Sequence, residues 1–240
     1  MGSQRLILVD GSGYIFRAFY ALPPMSREDG TPVNAVFGFT SMLLKLSEDM
    51  EGENILVVFD AARTTFRNAI YKEYKANRSE PPEELVPQFD LIKKATTAIG
   101  LKSLEVENYE ADDIIATYVK IAKKENIETL VISSDKDLMQ LIQDGVSLYD
   151  PMKNIKIGPE AVLEKFGVSP DKVIDVQALA GDSSDNVPGV PGIGVKTASQ
   201  LINEYGSLEK LLDNASSIKQ EKRRESLLNN AELAIVSKKL

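Results

Sequence analysis

Short apolar runs that lead into acidic residues constrain the fold of this chain more than any other feature. The runs 6–9 and 55–59 end directly at Asp10 and Asp60, and the run 129–132 is followed by two serines and then by more acids. In an open α/β sheet, loops at the carboxyl ends of strands share one crevice, so acids distant in sequence converge there. The acids of this pattern are Asp10, Asp60, Glu110, Asp112, Asp113, Asp135, Asp137, Asp182 and Asp185. Clustered carboxylates repel one another unless hard cations such as Mg²⁺ neutralise them, which predicts a metal-dependent enzyme.

Strand-like and helical segments alternate through the first part of the chain. This alternation predicts βαβ units and a largely parallel sheet. The predicted strands are 5–9, 55–59, 129–133 and 146–149, and the predicted helices are 13–21, 33–50, 88–99, 110–124 and 136–142. After Pro159 the pattern becomes helical, which indicates a smaller binding module. Its predicted helices are 159–166, 170–180, 195–204 and 207–213, with an apparent helix at 231–240.

Composition restricts the chemistry that such a protein can perform. The chain has no Cys and no His, which excludes disulfides, zinc–thiolate sites, thiol nucleophiles and a histidine base. The net charge of −8 is unusual for a nucleic-acid protein, but with the nine acids set aside as metal ligands, the rest roughly balance the 28 basic residues. The absence of a membrane-length apolar run and of room for a signal peptide before the first strand predicts a cytoplasmic protein.

Phosphodiester hydrolysis suits a pool of acids without histidine. Two cations held by bridging carboxylates activate water and stabilise the leaving oxygen of an in-line displacement. Each acid alone has a simpler interpretation, because Asp after a strand commonly forms a turn or caps a helix, and only the whole set is specific.

Two glycine-rich segments differ in what they predict. In 189–198, Gly192 and Gly194 let the backbone approach a phosphate, and Lys196 adds a positive charge at the start of a helix. The alternative is a simple connection between packed helices. The segment 11–13 resembles a phosphate-binding turn, but Phe16 stands where a dinucleotide fingerprint needs glycine, so we interpret it as a tight strand-to-helix turn.

Basic and aromatic residues alternate between Arg63 and Arg78, immediately after Asp60. The residues at helical spacings are Arg67, Tyr71, Tyr74, Lys75 and Arg78. One helix face would present them together to nucleic acid, or the aromatic rings would enter the core of a solvated amphipathic helix. The prolines of 79–87 then interrupt regular structure.

Several motifs together resemble the 5′-nuclease (flap endonuclease) family over essentially the whole chain. They are LILVDGSGYIFRAFYA, VVFDA, EYKANR, YEADD, VISSDKDLMQL and LAGDSSDNVPGVPGIGVKTA. The resemblance implies a PIN-like α/β domain, a mostly parallel sheet flanked by helices, at 1–158. It also implies a helical arch over about 63–98 and a helix–three-turn–helix DNA-binding module at 159–240.

The resemblance further implies two Mg²⁺ ions, with Mn²⁺ as a substitute, and a K⁺ ion at the Gly192–Gly194 turn. One metal site would draw on Asp10, Asp60, Glu110, Asp112 and Asp113, and the other on Asp135, Asp137, Asp182 and Asp185. Lys75 and Arg78 would contact the scissile phosphate as catalytic residues. The implied DNA-binding residues are Phe16, Arg17, Arg67, Tyr74, Lys75, Arg78, Gly192, Gly194, Lys196 and Thr197.

The implied activity is removal of 5′ flaps and 5′-terminal nucleotides, including RNA primers, in replication and repair. The implied partners are branched or nicked duplex DNA with a 5′ flap, RNA–DNA primer junctions and a polymerase domain in cis, in a cytoplasmic, nucleoid-associated protein. One alternative is a non-catalytic DNA-junction binding module. Another is a Toprim-like metal enzyme, but that class needs a glutamate on an early strand, where this chain has Asp10.

Overall fold

A computed structural model describes residues 5–50, 53–151 and 153–240, which divide into two compact units. The first unit is formed from Met1–Arg63, Glu80–Leu138 and Asp144–Lys156. The second unit is formed from Thr64–Ser79, Met139–Gln143 and Ile157–Leu240. The stretch 64–79, which carries most of the basic segment, therefore groups with the C-terminal helices.

A six-stranded sheet forms the centre of the first unit. The strands are β1 (Leu6–Asp10), β2 (Asn54–Val58), β3 (Lys102–Leu104), β4 (Thr129–Ile132), β5 (Val146–Asp150) and β6 (Ile155–Ile157). Their spatial order is β3-β2-β1-β4-β5-β6, and the pairs β1–β2, β1–β4, β2–β3 and β4–β5 are parallel, which confirms the predicted sheet. β3 and β6 were not predicted, because three largely exposed residues give no period-2 pattern.

The helices fall close to their predicted positions. They are α1 (Gly11–Ala21), α2 (Asn34–Asp49), α3 (Phe66–Ile70), α4 (Gln88–Ala98), α5 (Ala111–Lys124), α6 (Pro159–Phe166), α7 (Val173–Ala180), α8 (Val195–Tyr205), α9 (Leu208–Asp213), α10 (Glu221–Asn229) and α11 (Ala231–Lys239). The predicted helix at 136–142 is instead a 3₁₀ helix, Asp137–Leu141, and the first turn of the predicted 170–180 helix is a 3₁₀ turn. The charged helix α10 was not predicted, because Leu227 is its one buried residue.

The core of the first unit joins the central strand to the flanking helices. Ile7 of β1, Phe39 and Leu43 of α2, Ile92 of α4 and Ile132 of β4 are fully buried in one cluster. Burial of each such side chain contributes about 1.5–3 kcal/mol. The packing fixes β1 between β2 and β4, and so fixes the edge at which the acids emerge.

Gln88 caps helix α2 from a different helix. Its side chain is fully buried, and Oε1 accepts hydrogen bonds from the N–H groups of Ala35 (2.8 Å) and Val36 (3.2 Å). Its Nε2 donates to Asn34 Oδ1 (2.9 Å) and to the carbonyl of Glu84 (2.9 Å). Val33, at the N-cap of α2, provides no side-chain cap, so Gln88 satisfies donors that a helix N-terminus leaves open.

The long basic helix expected around 63–78 does not form. Helix α3 ends at Ile70, Tyr71 is extended, and the chain continues in turns to Asn77. Asn68 contributes to this helix end, because its Nδ2 donates to the carbonyl of Tyr74 (3.1 Å), a group that a continued helix would pair with a later N–H. Its Oδ1 accepts from the N–H of Thr65 (2.9 Å) and so caps the start of α3. The basic and aromatic residues therefore do not share one helix face.

The C-terminal helices confirm the predicted helical region. Helix α7 packs against α8 and α11, with Val176 and Leu179 of α7 and Ile202 of α8 fully buried. Within the described part of the chain, no helix is long and apolar enough to cross a membrane.

Candidate active site

The three central parallel strands bring their acids to one edge of the sheet. Asp10 is the last residue of β1 and pairs in register with Val58 of β2, two positions before Asp60. On the other side, Val9 pairs with Ile132 of β4, so Ser133 lies beside Asp10. The strand order reverses at β1, since the chain continues to β2 on one side and later to β4 on the other, and ligands bind at such a switch point in open α/β sheets.

Asp10 is buried at this edge, with 8% of its surface exposed. Its Oδ2 accepts a hydrogen bond from Ser133 Oγ (2.8 Å), and its Oδ1 accepts one from the N–H of Gly13 (3.3 Å) at the start of α1. Burial raises the pKa of Asp10 to about 6, and although these two hydrogen bonds oppose the shift, the charges of Asp60 and Asp135 add to it. Asp60 and Asp135 are therefore each close enough to Asp10 to repel its carboxylate.

Asp60 follows β2 and bridges to two helices. Its Oδ1 accepts a hydrogen bond from the N–H of Ala111 (2.8 Å), the first residue of α5, and its Oδ2 accepts one from Ser12 Oγ. The positive end of the α5 dipole and the free N–H groups there favour a negative charge. This contact places Asp60 beside the acidic start of α5.

The remaining acids of the first unit lie on the first turn of α5 and on the loop after β4. Glu110 is the buried N-cap residue of α5, and its N–H donates to Asp113 Oδ2 (3.0 Å); Asp112 is half-buried between them. After β4, the N–H of Asp135 donates to Ser133 Oγ (2.9 Å), and the N–H of Asp137 donates to Asp135 Oδ1 (2.8 Å).

The donor set fits hard divalent cations. Among the described residues, no three acidic side chains already surround a common point as metal ligands. The set is nevertheless composed of carboxylates, the preferred ligands of Mg²⁺, and the charges of Asp60 and Asp135 add to the rise that burial causes in the pKa of Asp10. A cation at this edge would offset the repulsion between these carboxylates.

In the second unit, Asp182 and Asp185 lie on the acid loop, which we define as residues 181–189. The loop closes on itself through reciprocal backbone hydrogen bonds between Asp182 and Val187 (3.0 and 2.8 Å). Gly181 is required for this closure, since it has φ +70° and a Cβ there would lie 2.6 Å from the carbonyl oxygen of Val187. The N–H of Gly189 donates to Ser237 Oγ (2.9 Å), so helix α11 anchors the end of the loop.

Two predicted catalytic cations contact the acid loop. Lys75 Nζ lies 3.6 Å from Asp185 Oδ2, and Arg78 donates a charge-assisted hydrogen bond to Asp185 Oδ1. The structure thus brings Lys75, Arg78 and Asp185 together, although they are about a hundred residues apart in sequence. A phosphate oxygen near Asp185 would lie within reach of both cations.

Arg67 and Tyr74 both make contacts within the second unit, to which they belong. Tyr74 is 5% exposed, and the Arg67 guanidinium lies 6.0 Å from its ring centroid and 4.7 Å from that of Phe66. Arg67 also donates to the backbone carbonyl of Leu240. Both side chains therefore support the segment that carries Lys75, and Lys75 Nζ itself lies 5.1 Å from the Tyr74 ring.

The other predicted DNA-binding residues are accessible. Phe16 on α1 is 39% exposed, and Arg17 beside it is half-buried. In the turn that precedes α8, a Cβ at Gly192 or Gly194 would meet no atom within 4 Å, which leaves that surface open to a ligand backbone. Lys196 is exposed and Thr197 is half-buried in the first turn of α8.

Sequence reasoning missed the residues that hold these acids in place. Ser133 links Asp10 to Asp135, and Ser12 bonds Asp60. The sequence offered one signal for each serine, since Ser133 lies in VISSD and Ser12 in DGSG. A hydroxyl beside a strand-end acid lies within hydrogen-bonding reach of the acid that ends the neighbouring strand.

A mostly parallel sheet with acids at its carboxyl edge, accompanied by a helical unit, is an architecture that 5′ nucleases use. Residues 5–167 match the model of the 5′-3′ exonuclease N-terminal resolvase-like domain, and residues 168–240 match the model of the 5′-3′ exonuclease C-terminal SAM fold. The chain belongs to the 5′-3′ exonuclease family.

Curated relatives agree with this family. The chain is 54% identical to DNA polymerase I of Rhizobium leguminosarum, over 99% of the chain and 24% of that protein. It is 45% identical to DNA polymerase I of Bacillus caldotenax, over 99% of the chain and 28% of that protein. The chain therefore spans about a quarter of the length of these relatives.

Solved structures share the fold. T5 5′-exonuclease with bound zinc ions superimposes with a TM-score of 0.82 at 25% identity, over 98% of this chain and 88% of that one. The bacteriophage T5 flap endonuclease in a complex with DNA and metal ions superimposes with a TM-score of 0.81 at 25% identity, with the same coverage.

Proposed function

We propose that this chain is a Mg²⁺-dependent, structure-specific 5′ nuclease that hydrolyses DNA by a two-metal mechanism. The observation that carries the proposal is the convergence at the end of β1, where strand register brings Asp60 close to buried Asp10 and Ser133 links Asp10 to Asp135. The family match and the metal- and DNA-bound T5 structures support it.

The proposal keeps the two sets of metal ligands that the sequence resemblance implies, with Mn²⁺ as a substitute ion and K⁺ at the Gly192–Gly194 turn. When bound, divalent ions supply Lewis-acid stabilisation of the phosphoryl and leaving oxygens. Lys75 and Arg78 bind the scissile phosphate, and Asp185 holds their charged groups near it. Phe16 stacks on a nucleotide, and Arg17, Gly192, Gly194, Lys196 and Thr197 contact the DNA backbone.

The proposed substrates are branched or nicked duplexes with a 5′ flap and RNA–DNA primer junctions, reached beneath an arch over about 63–98. Arg67 and Tyr74, whose side chains are turned inward, serve this binding by supporting Lys75. The relatives named DNA polymerase I, of which this chain spans about a quarter, support a polymerase domain in cis. The proposed place of action is the nucleoid in the cytoplasm.

Cleavage of a 5′-labelled flap substrate tests the proposal. We expect wild type to release the flap with Mg²⁺ and to release nothing with EDTA, and to cut a blunt duplex much more slowly. Asp60→Asn and Asp135→Asn should each reduce cleavage to below about one hundredth while the fold is retained.

Asp144→Asn is the matched control, since Asp144 is an exposed acid of the first unit outside both ligand sets. Its activity should equal that of wild type. Full activity of Asp60→Asn would refute its assignment as a ligand. Tight flap binding without any Mg²⁺-dependent product would replace the proposal with a non-catalytic junction-binding module.

A further inference from the structure

Two asparagine side chains join the acid loop to the segment that carries the proposed catalytic cations. We define the basic loop as residues 73–78. Asn77 Nδ2 donates from this loop to the carbonyl of Ser183 (2.7 Å), and Asn186 Nδ2 donates back from the acid loop to the carbonyl of Glu73 (2.6 Å). Each loop therefore donates one side-chain amide hydrogen bond to a backbone carbonyl of the other.

A backbone hydrogen bond lies between these two amide contacts. The N–H of Lys75 donates to the carbonyl of Asp185 (2.9 Å), so three hydrogen bonds to backbone carbonyls connect the basic loop to residues 183–186, in addition to the contacts of the Lys75 and Arg78 side chains with Asp185. One backbone pair and two side-chain amides thus satisfy three backbone carbonyls of the two loops, which restricts sliding of one loop along the other.

The backbone of Lys75 shows why these contacts matter. Lys75 has φ +56° and Asn186 has φ +57°, both in the left-handed region. Asn adopts this conformation readily, whereas a Lys there is strained and persists only when its surroundings hold it. The surroundings that hold Lys75 include its backbone bond to Asp185 and the flanking amides of Asn77 and Asn186.

We propose that Asn77 and Asn186 are positioning residues that fix Lys75 and Arg78 against the Asp185 loop. This inference rests on the proposed nuclease function, in which Asp185 is a metal ligand and the two cations bind the scissile phosphate. Since all three hydrogen bonds converge on the segment 183–186, the position of the phosphate-binding cations is tied to the position of a metal ligand. Asn77 and Asn186 act through Lys75 and touch no reacting atom.

Hydrogen exchange on the metal-free, DNA-free protein tests the positioning directly. Asn77→Ala and Asn186→Gly each remove a donor, and Gly accepts the left-handed backbone of position 186 without strain. We expect the Lys75 amide to exchange about tenfold faster or more in each variant, with little change in global unfolding. Unchanged protection of the Lys75 amide in both variants would overturn the proposal.

Asn126→Gly is the matched control. Asn126 has φ +55°, follows helix α5 in the first unit, and undergoes the same loss of side chain at a left-handed position. We expect wild-type exchange at Lys75 and wild-type flap cleavage in this variant. An equal acceleration of Lys75 exchange in Asn126→Gly would show a general loosening and would contradict the inference.

A double-mutant cycle tests the functional consequence. Under single-turnover conditions with Mg²⁺, Asn186→Gly should slow flap cleavage about tenfold while changing flap affinity less than about threefold. In a Lys75→Ala background the same change should slow cleavage much less, because one of the two groups that it positions is gone. An equal loss in both backgrounds would mean a role independent of Lys75 and would overturn the proposal.

The two assays separate this inference from the function on which it rests. If wild type cleaves no substrate with Mg²⁺, the nuclease proposal fails, while the exchange experiment still reports whether the amides hold Lys75. If wild type cleaves and neither exchange nor the cycle responds as expected, the nuclease proposal stands and the positioning role is refuted.

Discussion

Among single residues, Asp10 shows how its surroundings give an acid a property that its sequence position does not reveal. In sequence it is one of several strand-end acids. In the structure it is buried, accepts two hydrogen bonds and faces the charges of Asp60 and Asp135, and burial is the largest cause of its raised pKa. The carboxylate is therefore costly to keep charged without a cation.

This cost predicts a pH dependence of stability in EDTA. The pKa of Asp10 is about 6 in the folded protein against an ordinary value of 3.8, so the folded state gains relative stability as pH falls through 6. Asp10→Asn lacks this titration. Between pH 7 and pH 5, wild type should gain about 1 kcal/mol of unfolding free energy relative to the variant, measured by urea denaturation.

Parallel pH profiles for the two proteins would contradict this prediction. The comparison with Asp10→Asn is needed because other carboxylates titrate in the same experiment, and both proteins share them. Omission of metal is equally necessary, since a bound cation would favour the charged form of Asp10.

At the scale of elements, the junction of α2 and α4 depends on one buried side chain. Gln88→Leu would leave the N–H groups of Ala35 and Val36 and the side-chain oxygen of Asn34 without their Gln88 partner in the interior. We expect a loss of about 2–4 kcal/mol in the free energy of unfolding, because buried polar groups lose their hydrogen bonds. Chemical denaturation measures it.

Gln200→Leu is the control for this substitution. Gln200 is an exposed residue of α8, so the same change there should alter stability by less than about 0.5 kcal/mol. Comparable losses in the two variants would show that the α2 cap is unimportant.

The strands and helices also show which parts of the fold can be predicted from sequence alone. Apolar runs that end in acids predicted β1, β2 and β4 correctly, because buried parallel strands have a strong local pattern. The three-residue strands have none. The basic segment was overpredicted as a helix because the helical spacing of its residues does not show the turns that follow Ile70, where the Asn68 amide donates to the carbonyl of Tyr74. The partners of Asn77 and Asn186 lie 106 and 113 residues away, beyond any local periodicity.

For the whole molecule, the balance of charge predicts that divalent ions stabilise the fold. The chain has a net charge of −8, and many of its acids belong to the proposed metal sites. At a Mg²⁺ concentration a hundred times the dissociation constant, binding should add about 2.7 kcal/mol and raise the Tm by about 5–10 °C. Thermal unfolding with Mg²⁺, and with NaCl of equal ionic strength, measures this.

The ionic-strength control decides between specific binding and general screening. NaCl should produce a much smaller rise, and Asp60→Asn should respond less to Mg²⁺ than wild type. A rise of the same size with NaCl would mean that Mg²⁺ only screens the surface.

The anchor of the acid loop has a consequence for the order of events on the ribosome. The Ser237 hydroxyl accepts a hydrogen bond from the N–H of Gly189, yet Ser237 follows Gly189 by 48 residues and lies in the last described helix. A nascent chain emerges from its N-terminus, so the sheet and its acids form before Ser237 has been made. The loop that carries Asp182 and Asp185 gains this anchor only late in translation, which delays complete assembly of the proposed nuclease until the nascent chain includes α11.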